Sequence, residues 1–151
     1  AGNACRINDG AALVVLCSER YWKAHQLQPA ARILRTAAVG GDPAESPRGA
    51  MRTADVLLQR QHMTYEDLDA IEFNEAFAVI DVLFSRRFPM LTDRYNRFGG
   101  ALAYGHPYGA SGAILMLHLL KSLACIRGRF GLLSIAGAGG MGEAVLVEAC
   151  R

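Results

Sequence analysis

The chain has 151 residues, 52% of them apolar, and a formal charge of +2; that is enough to bury one substantial core and too apolar for a disordered tail. The small charge leaves no basic surplus of the kind that makes nucleic acid a main partner, and the scattered arginines read as a solvated face. No apolar run reaches the ~18 residues that span a bilayer, and Ala1-Gly2-Asn3 lacks the charged-then-apolar start of a secretory signal, so a cytoplasmic protein with no membrane partner is expected.

Taken in order, Gly2-Asn3 and Asn8-Asp9-Gly10 are turn formers, and Ala11 to Cys17 is a short, continuous, valine-containing apolar run, the pattern of a strand buried on both faces. Ser18 reads as an N-cap for a short helix, Glu19 to Gln26, that ends before Pro29. Ala30 to Val39 is a second strand, closed by Gly40-Gly41-Asp42-Pro43. From Ala50 to His62 a helix carries Met51, Ala54, Val56, Leu57 and Leu58 on its apolar face, with its arginines toward water. Thr64 and Asp67 form a helix-starting box, and Ala70 to Phe73 is a further strand. Asn74-Glu75 then opens a helix from Ala76 to Phe88 that Pro89 stops.

Arg94 to Phe98 leads into a stretch with five glycines and a histidine, Gly99 to Ala113, directly ahead of a long apolar helical pattern, Ile114 to Cys125. Such a stretch is the approach to a helix N-terminus, where free N–H groups point outward and small residues let a ligand come close. Pro107 biases His106 away from the helical region, which presents the imidazole in a defined direction. Arg127-Gly128 breaks the helix, and Gly131 to Ala136 and Ala144 to Ala149 form two apolar strands joined by a glycine turn, a hairpin. Strands alternating with helices describe an α/β layered sheet, here a mixed sheet with helices on both faces. Cys5, Cys17, Cys125 and Cys150 stand far apart, with no C-x-x-C pair and no histidine at ligand spacing, so reduced thiols and no metal site are expected. A chain without an initiator methionine is either processed or a piece of something longer.

The stretch Gly99-Gly100-Ala101 through Gly105-His106-Pro107, Gly109 and Ser111-Gly112 resembles the GGA-x-x-x-GHP-x-G-x-SG signature of the thiolase family, which makes or breaks carbon–carbon bonds between acyl-coenzyme A thioesters. Asn74-Glu75-Ala76-Phe77-Ala78 upstream and Gly139-Gly140-Met141-Gly142 near the end match two further family segments, in the same order. The resemblance implies two halves of similar topology in a five-layer αβαβα body, of which this chain supplies mainly the carboxy-terminal one. Residues 1–29 would be the last strand and helix of the amino-terminal half, and residues 30–151 the carboxy-terminal domain. A strand exposed alone presents apolar faces and unpaired backbone to water. A partner polypeptide carrying the missing half is therefore expected, with dimers or tetramers of such pairs.

The resemblance also implies roles. His106 polarises the thioester carbonyl and helps activate a nucleophilic cysteine, which no stretch here resembles and the partner must supply. Asn74 holds a water at the same oxyanion site; read from its place alone, it is a helix N-cap. The turn Gly137, Ala138, Gly139 and Gly140 forms a second oxyanion site from backbone N–H groups. Ala136 stands where the family has a cysteine that moves the substrate's α-proton, and alanine moves no protons. Three readings stay open: an introduced substitution, a condensing enzyme that works by decarboxylation or with another base, or a non-catalytic scaffolding subunit. A free-standing coenzyme A binding module is a further class, and it would be stable as a monomer.

Cys5 and Arg6 replace Ser-Gly in the family's Gly-Asn-Ala-Ser-Gly turn, which places them as substrate or coenzyme contacts; Arg6 could meet a phosphate or an acidic acyl group, or face water. Cys5 has no basic neighbour to lower its pKa and reads as a small turn or buried cysteine. Tyr104 and Tyr108 flank His106 and either line a pocket or, if perturbed, serve as weak acids or bases. Ser111 either caps its helix or contacts the coenzyme. His25, His62 and His118 read as structural. No permanently bound cofactor is expected; coenzyme A enters as part of the acyl-CoA substrate.

Overall fold

In the computed structural model, which describes residues 2–150, four strands form one mixed sheet in the order β1-β4-β3-β2, as the alternation of elements implies. β1 (Ala31–Val39) runs antiparallel to β4 (Met141–Ala149), with a register shift between Ile33 and Arg35. β4 forms the expected hairpin with β3 (Phe130–Gly137). β3 pairs in parallel with β2 (Ala70–Phe73), Phe73 opposite Ser134. Parallel neighbours need a long crossover. It contains α3 (Ala78–Arg87), the four-residue α4 (Ala101–Tyr104) and α5 (Ser111–Ile126).

Alternation along the strands sends successive side chains to opposite faces and so builds two cores. On one face Ile71, Phe73, Leu132 and Leu146 meet Ala54, Leu57 and Leu58 of α2 (Gly49–Arg60) and Ile80 and Phe84 of α3. On the other, Ala70, Leu133 and Val147 meet Leu115, Leu119 and Leu123 of α5, spaced one helical turn apart. Each fully buried leucine contributes roughly 1.5–3 kcal/mol. Phe84 stacks on Tyr95 at 4.1 Å between ring centroids and meets the edge of Phe73 at 5.6 Å.

Several local signals act as expected. Ser18 accepts a hydrogen bond from the N–H of Tyr21 at the start of α1 (Glu19–Ala24). Thr64 and Asp67 form a capping box on a 3-10 turn, and Arg127 ends α5 in the left-handed region, followed by Gly128.

Four expectations are corrected. Ala11 to Cys17 is not a buried strand: it has no ladder partner among the described residues, and Leu13, Val15 and Leu16 are 80%, 83% and 71% exposed. A strand exists only by pairing; Val14 to Cys17 line a cavity beside Ala31 to Ile33 of the edge strand β1 but form no ladder with it. The helix after Asn74 begins at Ala78 with Phe77 at its cap, so Asn74 is no N-cap. Arg52 of α2 does not face open water but reaches the carbonyl of Gly140 and the carboxylate of Glu45. Tyr108–Ile126 forms a continuous helical stretch of 19 residues, long and apolar enough to cross a bilayer, contrary to the reading that no run reaches that length. Its Leu115, Leu119 and Leu123 pack on the sheet.

Candidate active site

Because β2 and β3 are parallel, the residues that follow them emerge at one end of the sheet, where open α/β sheets bind ligands. Asn74 leaves β2 there, its N–H bonded to the carbonyl of Ser134 on β3, and Ala136 and Gly137 end β3 beside it. The histidine turn closes over the same edge. Asn74, buried, sets its Nδ2 3.2 Å from Nε2 of His106, 32 residues along the chain. The other ring nitrogen, Nδ1, lies 2.6 Å from Oγ of Ser111, the buried first residue of α5. Ser111 therefore makes no cap bond; its hydroxyl is turned to the imidazole.

The turn is clamped by the amino-terminal arm. Ile7 bridges His106 and Ala4 bridges Phe77. The carbonyl of Arg6 accepts the N–H of His106 at 2.7 Å, and Asn8 donates from Nδ2 to the carbonyl of Tyr104 at 3.0 Å. Gly105 adopts φ +93°, and a Cβ there would overlap the Asn8 side chain. Only glycine takes that conformation without strain. The ring of Tyr108 stands edge-on to His106 at 4.7 Å.

His106, Tyr108, Cys5, Ala136, Gly137 and Ala138 line one cleft of about 360 Å³, together with Phe77 and Ile80. Burial lowers the His106 pKa, which favours the neutral ring near pH 7. Burial raises the Cys5 thiol pKa, so this thiol is no ready nucleophile. Tyr104 turns away from the cleft: its ring meets His118 at 5.3 Å, and burial pushes its phenol up to about 12, too weak an acid for work near neutral pH. The Arg6 side chain is exposed, and only its backbone touches the site. Gly139 and Gly140 stand outside the cleft lining. Gly140 is held by its N–H on Ser46 Oγ and approaches the backbone of Gly41 and Asp42 too closely for a side chain. Among the described residues no group of three or more metal-ligating side chains occurs, and all four cysteines are free.

Three supporting residues escaped the sequence reading. Asn8 is one. Asn96, at φ +43°, ends the segment that pairs along the outer side of β2, where Tyr95 bridges Ile71, and continues that pairing with its side chain, its Oδ1 accepting the N–H of Phe73 and its Nδ2 donating to the Phe73 carbonyl. Glu75 accepts from Asn96 and from the N–H of Leu102, tying the Asn74 turn to the glycine-rich loop. Asn-Glu directly after a strand was a signal for Glu75; an isolated Asn96 carried none.

The family model described as "Thiolase, C-terminal domain" matches residues 27–149. The chain is 39% identical to the acetyl-CoA acetyltransferase of Synechocystis sp. over 148 residues, 98% of this chain and 37% of that enzyme. Its fold matches the crystal structure of the Bacillus anthracis acetyl-CoA acetyltransferase with a TM-score of 0.93 at 34% identity, over 99% of this chain and 38% of that one. Human mitochondrial 3-ketoacyl-CoA thiolase in complex with CoA gives a TM-score of 0.83 at 32% identity, covering 88% of this chain and 34% of the other. The chain thus spans little more than a third of the relatives it matches.

Proposed function

The chain belongs to the thiolase family, and from that premise we propose that it is the carboxy-terminal part of an acyl-CoA acyltransferase that joins or thiolytically cleaves carbon–carbon bonds between thioesters. The observation that carries this reading is the convergence of the buried Asn74 amide on the His106 imidazole, 3.2 Å apart, with the imidazole lining a cleft that Ala136, Gly137 and Ala138 also line. An imidazole that carries N–H at Nε2 once it has taken a proton, with a side-chain amide beside it, both preorganised by buried contacts, suits a carbonyl oxygen that gains negative charge as it is attacked. In this reading the turn from Gly137 to Gly140, with the Gly140 N–H held by Ser46, offers its remaining backbone N–H groups to a second such oxygen, and Cys5, Arg6 and Tyr108 stand toward the acyl or coenzyme portion.

The acyl-accepting cysteine comes from the amino-terminal half of the assembly, carried by a partner polypeptide. Residues 1–29 belong structurally with that half and residues 30–151 form the carboxy-terminal domain. The exposed apolar segment through Leu13, Val15 and Leu16 supports this, since it offers a strand to a sheet this chain lacks. Such pairs assemble further as dimers or tetramers in the cytoplasm, and coenzyme A visits as part of the substrate. Ala136 leaves the α-proton to a group other than a thiol at that position.

The test is turnover of acetyl-CoA and acetoacetyl-CoA by this chain assembled with the amino-terminal half, followed by thioester absorbance. His106→Ala and Asn74→Ala each lower turnover roughly 10²- to 10³-fold while gel filtration shows the assembly intact. Undiminished turnover in an intact assembly overturns the reading.

A further inference from the structure

We propose that Ser111 is a positioning residue that holds His106 in its Nδ1-protonated tautomer, with the Nε2 lone pair on the Asn74 amide. The two nitrogens of a neutral imidazole divide the roles of donor and acceptor, and their neighbours decide which is which. At Nε2 the neighbour is Nδ2 of Asn74, an amide nitrogen that can only donate. Nε2 must therefore accept. The ring proton then resides on Nδ1 and points at Oγ of Ser111, 2.6 Å away, a hydroxyl able to accept it.

Both partners are buried, Ser111 at 5% and Asn74 at 1% exposure. Ser111 is the first residue of α5, one past Ala110 at the N-cap position, and its hydroxyl is turned to the imidazole. The backbone on the other side is pinned as well, through the His106 N–H on the Arg6 carbonyl. Imidazole in water prefers its proton on Nε2, so the site imposes the less favoured tautomer. A histidine so held starts without a proton on Nε2. A proton taken there from an acid in the cleft displaces the Asn74 contact, leaves that acid as its conjugate base, and puts N–H on both nitrogens, so that Nε2 then donates.

The functional consequence rests on the acyl-transfer reading above, but the tautomer is measurable without turnover. The four histidines of the full chain are labelled with ¹⁵N, His106 is assigned by loss of its signals in His106→Asn, and long-range imidazole ¹H–¹⁵N correlations distinguish protonated from lone-pair nitrogens. In the wild type, His106 is expected as Nδ1–H. Ser111→Ala shifts it toward Nε2–H, and Ser111→Thr, which restores a hydroxyl, returns it to Nδ1–H. In the assembled enzyme Ser111→Ala lowers kcat at least roughly tenfold with KM little changed, a wrong tautomer in a comparable histidine site costing up to about 10⁴, and Ser111→Thr recovers it. An Nε2–H wild type, or a Ser111→Ala spectrum identical to wild type, overturns the proposal. If the tautomer follows Ser111 while His106→Ala leaves turnover untouched, the acyl-transfer reading fails and the positioning role stands.

Discussion

Glu72 sits in the middle of β2 with 1% of its surface exposed. Its Oε1 accepts from Ser122 at 3.4 Å, while Oε2 has no partner among the described residues. Burial, with the nearby charge of Glu75 adding to it and the Ser122 bond opposing, raises its pKa from 4.5 to about 8. Between those two values the folded chain keeps a proton that the unfolded chain releases. Folded binding then exceeds unfolded binding, and stability falls as pH rises. At 1.36 kcal/mol per pH unit the complete loss is roughly 4–5 kcal/mol, of which roughly 2 kcal/mol falls between about pH 6.5 and pH 9. Asp81, raised to about 6 by burial, acts with the same sign but is already largely ionised at the lower end of that window, so most of its effect falls below it. Glu72→Gln preserves shape and an acceptor for Ser122 and carries no charge at any pH. Urea unfolding followed by circular dichroism at the two pH values therefore shows the variant gaining roughly 2 kcal/mol on wild type as pH rises. A difference that stays constant across that range refutes the account of Glu72 as a buried, protonated carboxyl.

Gly105→Ala combines a left-handed backbone at φ +93° with an overlap on Asn8, and is expected to destabilise by roughly 1–3 kcal/mol in urea unfolding and to broaden the His106 resonances; an unchanged midpoint removes the clamp argument. Replacing Leu13 and Val15, both exposed, by glutamate leaves the stability of this chain within about 0.5 kcal/mol but abolishes co-elution with the amino-terminal half, and retained co-elution excludes this segment from the interface. Ala136→Cys places a thiol in the cleft beside His106 and is expected to raise condensation turnover of the assembly; a rate equal to wild type shows that proton removal is not what this alanine limits.

Much of the fold is legible in local chemistry. Leu115, Leu119 and Leu123 declare a helix face by their spacing, and the hairpin is written in two apolar runs around a glycine turn. Ser18 and Thr64 announce their helix starts because a cap is a contact over three residues. His106 stands out because Pro107 follows it and glycines surround it. Asn74 was legible as a site residue only through its resemblance to a known segment, since an asparagine after a strand reads equally as a cap. Asn8 and Asn96 were not legible. Their bonds close over 96 and 23 residues of chain, and no periodicity records such a pairing.

By itself the amino-acid sequence determined most of the strands and helices, Ala11 to Cys17 excepted, where most of them begin and end, and which imidazole is presented by a rigid turn. Apolar period, caps and proline act within a few residues, so they are written locally. The tertiary structure alone decided that β2 and β3 run parallel, that Asn74 and Ser111 take the two nitrogens of one ring, and that Ala11 to Cys17 has no ladder partner among the described residues. Each of these depends on which distant segment supplies the partner, and pairing is a property of the packed chain.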